Sequence, residues 1–281
     1  MKQGNEMRMR AAVRFGFLMV CLGAWFAATP LAAAPGEGVR SLALVSAARA
    51  HDGSAFLAGL DLQLADGWKT YWEKPGDSGI PPVFDWSASE NVAGVELRWP
   101  APERFDAPGD ITFGYKHGLI WPLRIVPEDG ARPVTLRLSV LYGICADICV
   151  PRRAELELTV PPAMPDMATG ETTDAPRLRA ALARVPVPPA DPDLIEVKWR
   201  ENEAPTLEVR LKHCGPGCTP PQLIVTGPRN TWFGTPRVKR KGDTVRYTME
   251  VEVLSPAMLE GEELSFILAD PDRAYVIRKI M

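Results

Sequence analysis

Prolines and glycines recur along the whole chain, and this feature most restricts its fold. The 281 residues include 28 prolines and 23 glycines. Both residue types interrupt regular structure, so long helices are disfavoured and short strands joined by turns are favoured. Apolar residues alternate with others at Phe56, Ala58, Leu60, Leu62 and Leu64, which is the period of a strand with one buried face. The pattern therefore predicts an all-β protein.

Further short strands are predicted over the next hundred residues. They cover 83–86, 92–99, 119–126, 134–142 and 154–160. Seven or so short strands at this spacing are typical of an antiparallel β-sandwich. We therefore expect one β-domain over residues 38–160.

A proline-rich stretch separates this domain from a second strand series. Residues 161–192 contain two Pro-Pro pairs around a short amphipathic piece from Pro176 to Arg184, so we predict a linker that carries one small helix. Alternation resumes beyond it, most clearly at 207–211 and 245–253. Residues 193–281 are predicted to form a second, smaller β-domain with a sandwich-like fold.

Residues 1–34 have the pattern of an export signal. Four basic residues precede an apolar core from Phe15 to Trp25, and Leu31-Ala-Ala-Ala34 supplies small residues for cleavage near Ala33. An uncleaved membrane anchor is the alternative, although the apolar stretch is short for one. We expect a periplasmic location. The net charge of −3 gives no reason to expect a nucleic acid as partner.

Export exposes the cysteines to an oxidising compartment, where disulfides persist. Cys145 and Cys149 lie between two predicted strands, and the segment must fold back if they are bonded, because four extended residues span roughly 13 Å. A five-residue loop gains only about 2 kcal/mol from cross-linking, which is little for a structural staple. The spacing alone leaves three alternatives for this pair: a structural disulfide, a redox pair or one half of a zinc site.

Three motifs around this pair resemble the N-terminal periplasmic domain of the DsbD thiol:disulfide interchange protein family. They are listed here in chain order: Gly67-Trp-Lys-Thr-Tyr-Trp-Glu-Lys-Pro-Gly-Asp-Ser-Gly79, Phe113-Gly-Tyr-Lys-His-Gly-Leu119 and Tyr142-Gly-Ile-Cys-Ala-Asp-Ile-Cys-Val-Pro151. The likeness covers roughly residues 40–160. It implies an immunoglobulin-like sandwich whose cysteine pair, Cys145 and Cys149, exchanges disulfides as the catalytic pair of a protein-disulfide reductase.

The resemblance also implies a cap loop and a set of partners. The matching cap stretch runs from Ile111 to Gly118, with Phe113 and Tyr115 as candidate shields and Tyr142 as a further one. Electrons would come from a membrane-embedded thiol transporter, expected here as a separate chain, and pass to periplasmic thioredoxin-like or disulfide isomerase proteins. The spacing of the pair is two residues narrower than in the best-known member, so the local turn must differ.

Charged and aromatic neighbours in sequence suggest how the pair is tuned. Arg152 and Arg153 would favour a thiolate and Asp147 would oppose it. Three further aromatic residues either wall the site or belong to the sandwich core. They are Trp68, Tyr71 and Trp72.

Cys214 and Cys218 form a second local pair, in a Cys-Gly-Pro-Gly-Cys segment followed by Pro220-Pro221. A turn disulfide, a second redox pair and a metal site with His213 are the alternatives. We predict no cofactor and no bound metal, because the two cysteine pairs fall in different predicted domains. A non-catalytic binding module with two structural disulfides is the competing function for the whole chain.

Overall fold

The computed structural model describes residues 37–47, 49, 54–162, 172–200, 205–212, 218–228, 231–253, 256–270 and 273–281. The predicted signal peptide lies outside these residues. Within them, the chain is nearly all β-strand with one α-helix, which confirms the predicted fold class. No helix in this described part is long and apolar enough to cross a membrane.

Ten strands build the first sandwich. They are β1 Val39–Ser46, β2 Phe56–Leu64, β3 Lys69–Gly76, β4 Val83–Asp85, β5 Val92–Leu97, β6 Glu103–Ala107, β7 Asp110–Lys116, β8 Gly118–Pro127, β9 Val134–Cys145 and β10 Cys149–Val160. One sheet has the order β1-β2-β8-β5. The other has the order β10-β9-β3-β7-β6, and β4 pairs with the middle of β9.

Apolar side chains from both sheets meet between them and form the first core. Trp121 from β8, Leu60 from β2 and Leu138 from β9 are each at most 1% exposed. Successive residues of a strand point to opposite faces, so one face of each sheet fills this core and the other is free for different contacts.

The helix α1, Ala175–Ala183, covers part of the outer face of the first sheet. Leu178 of α1 is fully buried and lies over Gly59 of β2, where a Cβ would come within 2.5 Å of the leucine. Arg177 forms an ion pair with Asp61 of the same strand. The helix overlaps the predicted one at 176–184 and explains why β2 is buried on both faces.

The remaining strands form two smaller sheets around a second core. They are β11 Ile195–Arg200, β12 Thr206–Leu211, β13 Gln222–Thr226, β14 Trp232–Phe233, β15 Arg237–Lys241, β16 Thr244–Glu252, β17 Glu263–Ala269 and β18 Ala274–Ile280. One sheet has the order β11-β12-β16-β14 with β15 also on β16, and the other β13-β17-β18. We call this part the second sandwich. Ile224, Ile267 and Ala274 belong to it but pack into the first core, so the two sandwiches share apolar surface.

Candidate functional site

The cysteine pair closes the tip of the β9–β10 hairpin. Cys145 ends β9, Cys149 begins β10, and the two stand directly opposite each other in the antiparallel register. Their Cα atoms are 4.1 Å apart and their sulfur atoms are bonded. The hairpin loop is Ala146 to Ile148, so the segment folds back as a bonded pair requires.

A row of side chains runs across four strands through this disulfide. Lys116 of β7 pairs with Lys69 of β3, and Lys69 pairs with Cys145 of β9, which in turn pairs with Cys149. Directly paired residues project from the same face of a sheet, with Cβ atoms about 4.5–5.5 Å apart. The row therefore places two ammonium groups on the face that carries the cysteines.

Tyr71 is the aromatic residue that contacts the disulfide. Its hydroxyl lies 3.0 Å from Cys149 Sγ. A disulfide sulfur carries no hydrogen, so the hydroxyl donates this bond. Burial raises the pKa of Tyr71, and the negative charge of Asp110 raises it further, so the hydroxyl keeps its proton and remains a donor.

Two glycines make room for the Tyr71 ring. A Cβ on Gly79 would lie 2.7 Å from the ring, and one on Gly143 would lie 3.1 Å from it and 2.6 Å from Ile80. Gly143 precedes Cys145 by two residues on the same face of β9. The first and third sequence motifs thus close on each other around the ring and fix its hydroxyl at the disulfide.

Lys69 is held beside the pair by the β6–β7 hairpin. Its ammonium donates to Thr112 Oγ1 at 3.1 Å and lies 4.7 Å from the centre of the Phe105 ring. Lys116 lies 5.1 Å from the same ring. Burial lowers the pKa of Lys69, Asp110 opposes this change, and Lys116 adds to it. These contacts keep the amine on the cysteine face rather than in open solvent.

The surroundings of the pair favour a thiolate. Cationic groups and hydrogen-bond donors both stabilise the charged form of a cysteine and lower its pKa. Lys69 supplies the charge next to Cys145, and Tyr71 supplies the donor at Cys149. Cys145 is only 6% exposed, whereas Cys149 is partly exposed. Cys149 is therefore the more accessible sulfur.

The three predicted shields lie elsewhere. Tyr115 and Tyr142 are buried in the first core, and Tyr115 donates its hydroxyl to the Pro100 carbonyl at 2.8 Å. Phe113 rests against Trp72 with ring centres 6.3 Å apart. Residues at odd separations along a strand point to opposite faces, which is why Tyr142, three residues before Cys145, faces the core instead of the disulfide.

The other predicted neighbours divide between core and surface. Trp72 is buried in the first core, and Trp68 packs against it. Arg152 donates to the Glu37 carbonyl at 2.7 Å, and its neighbour in the register is the core residue Tyr142. Sequence reasoning missed Lys69, Phe105 and Thr112. The signal for Lys69 was its place in the 67–79 motif at an even spacing from Tyr71.

The second cysteine pair is only partly described. Cys218 is disulfide-bonded. Its predicted partner Cys214 and the candidate metal ligand His213 lie outside the described residues, so the pairing stays a prediction. Among the residues described, no three His, Cys, Asp or Glu side chains are grouped to hold a metal ion.

Comparison with known protein families identifies the domain that carries the cysteine hairpin. Residues 41–161 match the family model described as thiol:disulfide interchange protein DsbD, N-terminal. The first sandwich is a DsbD N-terminal domain. The matched segment of this DsbD-type domain contains both cysteines, Tyr71 and Lys69.

The other comparisons concern the fold and the second sandwich. The crystal structure of the N-terminal periplasmic domain of ScsB from Proteus mirabilis superposes with a TM-score of 0.61 at 23% sequence identity, covering 86% of this chain and 99% of that one. The fold shared with that domain therefore extends over both sandwiches of this chain. Residues 184–280 match a domain of unknown function, DUF8393. No curated protein gave a significant match.

Proposed function

We propose that this protein relays reducing equivalents in the periplasm through Cys145 and Cys149. The observation that carries the proposal is the Tyr71 hydroxyl, which donates to Cys149 in a disulfide that closes only a three-residue hairpin loop. A structural staple has no need of a hydrogen-bond donor on its sulfur, whereas an exchanging cysteine gains thiolate from one. The DsbD-type domain around it supports thiol–disulfide interchange as the chemistry.

Exchange begins from the reduced pair. The more exposed Cys149 attacks, as a thiolate, one sulfur of a partner's disulfide, and the partner's other sulfur leaves as a thiolate. The Cys145 thiolate then attacks Cys149 Sγ in the mixed disulfide and releases the partner as a dithiol. The Cys145–Cys149 disulfide forms, so two electrons pass to the partner. Attack by a donor dithiol runs the same steps in reverse and restores the reduced pair.

The proposed partners follow from this chemistry. The donor is a separate membrane-embedded thiol transporter, and the acceptors are periplasmic thioredoxin-like or disulfide isomerase proteins. Ile148 at the hairpin tip is 75% exposed next to Cys149 and offers apolar contact to a docking protein. The family match and the periplasmic ScsB domain support a periplasmic site of action.

Trapping with single-cysteine variants tests the proposal. Reduced C145S protein, which retains Cys149, should form a mixed disulfide with an oxidised periplasmic thioredoxin-like protein, because no resolving thiol remains. C149S protein should trap far less, since Cys145 is buried. Wild-type protein should reduce the partner without accumulating the adduct. If neither variant traps a partner and the wild type moves no electrons, the binding-module function replaces this one.

A further inference from the structure

The second sandwich is bonded directly to the β6–β7 hairpin of the DsbD-type domain. Arg104 of β6 donates to Thr235 Oγ1 at 2.6 Å and to the Gly234 carbonyl at 3.3 Å. Thr235 in turn donates to Asp106 Oδ1 at 2.9 Å, and Arg104 pairs with the same carboxylate at 2.8 Å. One threonine hydroxyl of the second sandwich thus holds Arg104 and Asp106, two of the three charged residues of this strand.

These bonds join β6 to the second sandwich. A cleft of 930 Å³ lies beside them, lined by Phe113 of β7 and by Trp232 and Phe233 of the second sandwich. Because the cleft is not filled by side chains, close packing does not hold the hairpin against the second sandwich at this place. The Arg104 side chain is only 9% exposed, whereas that of Asp106 is 50% exposed and Thr235 lies at the surface. Hydrogen bonds that involve a charged group are about twice as strong as those between neutral groups.

In β6, the two residues bonded to Thr235 flank the residue that contacts Lys69. Phe105 lies between Arg104 and Asp106 in β6 and pairs with Thr112 of β7. Since successive residues point to opposite faces, fixing Arg104 and Asp106 from one face sets Phe105 on the other. Phe105 and Thr112 contact the Lys69 ammonium from this hairpin, and the Tyr71 ring lies 5.9 Å from it on its own strand. Lys69 stands in register with Cys145.

We infer that the second sandwich, through Thr235 and Arg104, positions Lys69 beside Cys145 and so sets the reactivity of the cysteine pair. This assigns a positioning role to a domain matched only to one of unknown function. The inference rests on the proposed exchange function for its biological purpose, but its physical content is the ionisation of Cys145, which needs no partner.

Four other charged residues on the elements around the pair also affect the ionisation of a thiol. Asp110 of β7 and Asp147 of the hairpin loop oppose a thiolate, and Lys116 of β7 favours one. Arg153 of β10 shares the face of Cys149 by its even spacing. Thr235 contacts none of these four in the bonds described above, so a change at Thr235 acts on the pair through β6.

The test measures alkylation of Cys145 against pH in reduced full-length mature protein that carries C149S. A T235V substitution removes the hydroxyl with little change in shape. We expect it to raise the Cys145 pKa by about half a unit, which is roughly threefold less thiolate below that pKa. K69M should raise the pKa by about one unit. In the double variant, T235V should add nothing to the effect of K69M.

Two matched variants serve as controls. T226V removes another hydroxyl of the second sandwich, which accepts a 3.2 Å bond from Lys74 away from the hairpin, and it should leave the Cys145 pKa unchanged. T235S keeps the hydroxyl and should behave as wild type. An unchanged pKa in folded T235V overturns the inference, as does an equal shift in T226V. Because no partner is used, these outcomes are independent of whether the exchange function itself holds.

Discussion

Tyr71 links the structure of the site to its chemistry at the scale of single residues. Its phenol is a protonated donor because burial and Asp110 both raise its pKa. In the oxidised protein it bonds a neutral sulfur, but after reduction the same geometry solvates a thiolate at Cys149. Hydrogen bonds to charged groups are about twice as strong as those to neutral ones. The contact therefore favours the reduced, ionised pair.

A Y71F variant tests this contact. We expect the pKa of Cys149 in the reduced protein to rise by about one unit, because a hydrogen bond to a charged group is worth about 1.5–3 kcal/mol. Disulfide exchange at neutral pH should slow accordingly, and the rate should recover as the pH is raised. The free energy of unfolding of the oxidised protein should change by only about 1 kcal/mol. Alkylation against pH and chemical denaturation give the two values.

Tyr142 provides the matched control for that experiment. It is also a buried tyrosine of the same sheet, but it faces the core. Y142F should leave the thiol pKa of Cys149 unchanged. A pKa shift of similar size in both variants would show that Tyr71 acts through packing and not through its hydroxyl.

Residue identities at the site were only partly predictable. The fold-back was predicted from bond geometry on the condition that the two cysteines are bonded, and the exchange role of the pair was predicted from the resemblance to the DsbD family. Tyr71 was one of three aromatic residues considered near the site. Phe113 and Tyr115 were predicted from the cap stretch that the resemblance implies, and Tyr142 as a further aromatic residue close to the pair in sequence. Which face of a sheet a residue occupies depends on register, and the register of β7 on β3 is interrupted by an irregularity between Tyr71 and Gly76. Period-two patterns do not locate such an irregularity.

At the scale of elements, the β9–β10 hairpin depends on a glycine for its contact with Tyr71. A G143A variant places a methyl group 2.6 Å from Ile80 and 3.1 Å from the Tyr71 ring. We expect a loss of about 1–3 kcal/mol in the free energy of unfolding from overpacking, together with slower exchange as the ring is displaced. Thermal unfolding and an insulin reduction assay measure these effects.

Gly94 of β5 is the control for that substitution. A Cβ there meets nothing within 4 Å. G94A should leave exchange at the wild-type rate and change stability by less than about 0.5 kcal/mol. Equal losses in the two variants would mean that the effect of G143A is not local to the site.

The hairpin should also survive loss of its disulfide. C145S removes a cross-link of a five-residue loop, worth about 2 kcal/mol in the chain-entropy model, whereas a domain of this kind holds about 5–15 kcal/mol. We expect the melting temperature to fall by about 4–8 °C without loss of the fold, and exchange to be abolished. Circular dichroism melts and the reduction assay decide this. Unfolding of C145S at room temperature would favour the structural staple.

The strand β2 shows what sequence patterns miss at this scale. Its apolar alternation from Phe56 to Leu64 correctly indicated a strand with one face in the core. The other face is buried as well, because α1 places Leu178 over Gly59 and Arg177 over Asp61. The helix was predicted from its own amphipathic pattern, but where it docks depends on contacts between residues more than a hundred positions apart.

At the scale of the whole molecule, the two cysteine sites lie in different sandwiches. Cys145 and Cys149 are in the DsbD-type domain, and Cys218 lies in the segment before β13 of the second sandwich. We expect C218S to leave disulfide exchange by Cys145 and Cys149 at the wild-type rate, because that residue lies outside the segment that matches DsbD. Insulin reduction by C218S and C145S, measured side by side, checks this. Loss of exchange in C218S alone would move the active pair to the second sandwich.

The joining of the two sandwiches was beyond sequence reasoning. The proline-rich stretch was predicted as a linker, but backbone hydrogen bonds join it to both sandwiches. Ala101 of the first sandwich donates to the Arg184 carbonyl at 2.9 Å, and Val187 donates to the Ala274 carbonyl of the second at 3.1 Å. Such pairings depend on surface complementarity over long separations. The contact of Thr235 with the β6–β7 hairpin, on which Lys69 depends, belongs to the same class.

The redox potential of the Cys145–Cys149 bond tests the central claim most directly. It is measured by equilibrating the protein with defined ratios of reduced and oxidised dithiothreitol or glutathione and following the pair by mass spectrometry. A bond that closes a short loop next to thiolate-stabilising groups should be reducible, with a potential above about −300 mV, in the range of working exchange proteins. A potential well below that value is typical of a structural disulfide in an exported protein, and it would contradict the relay.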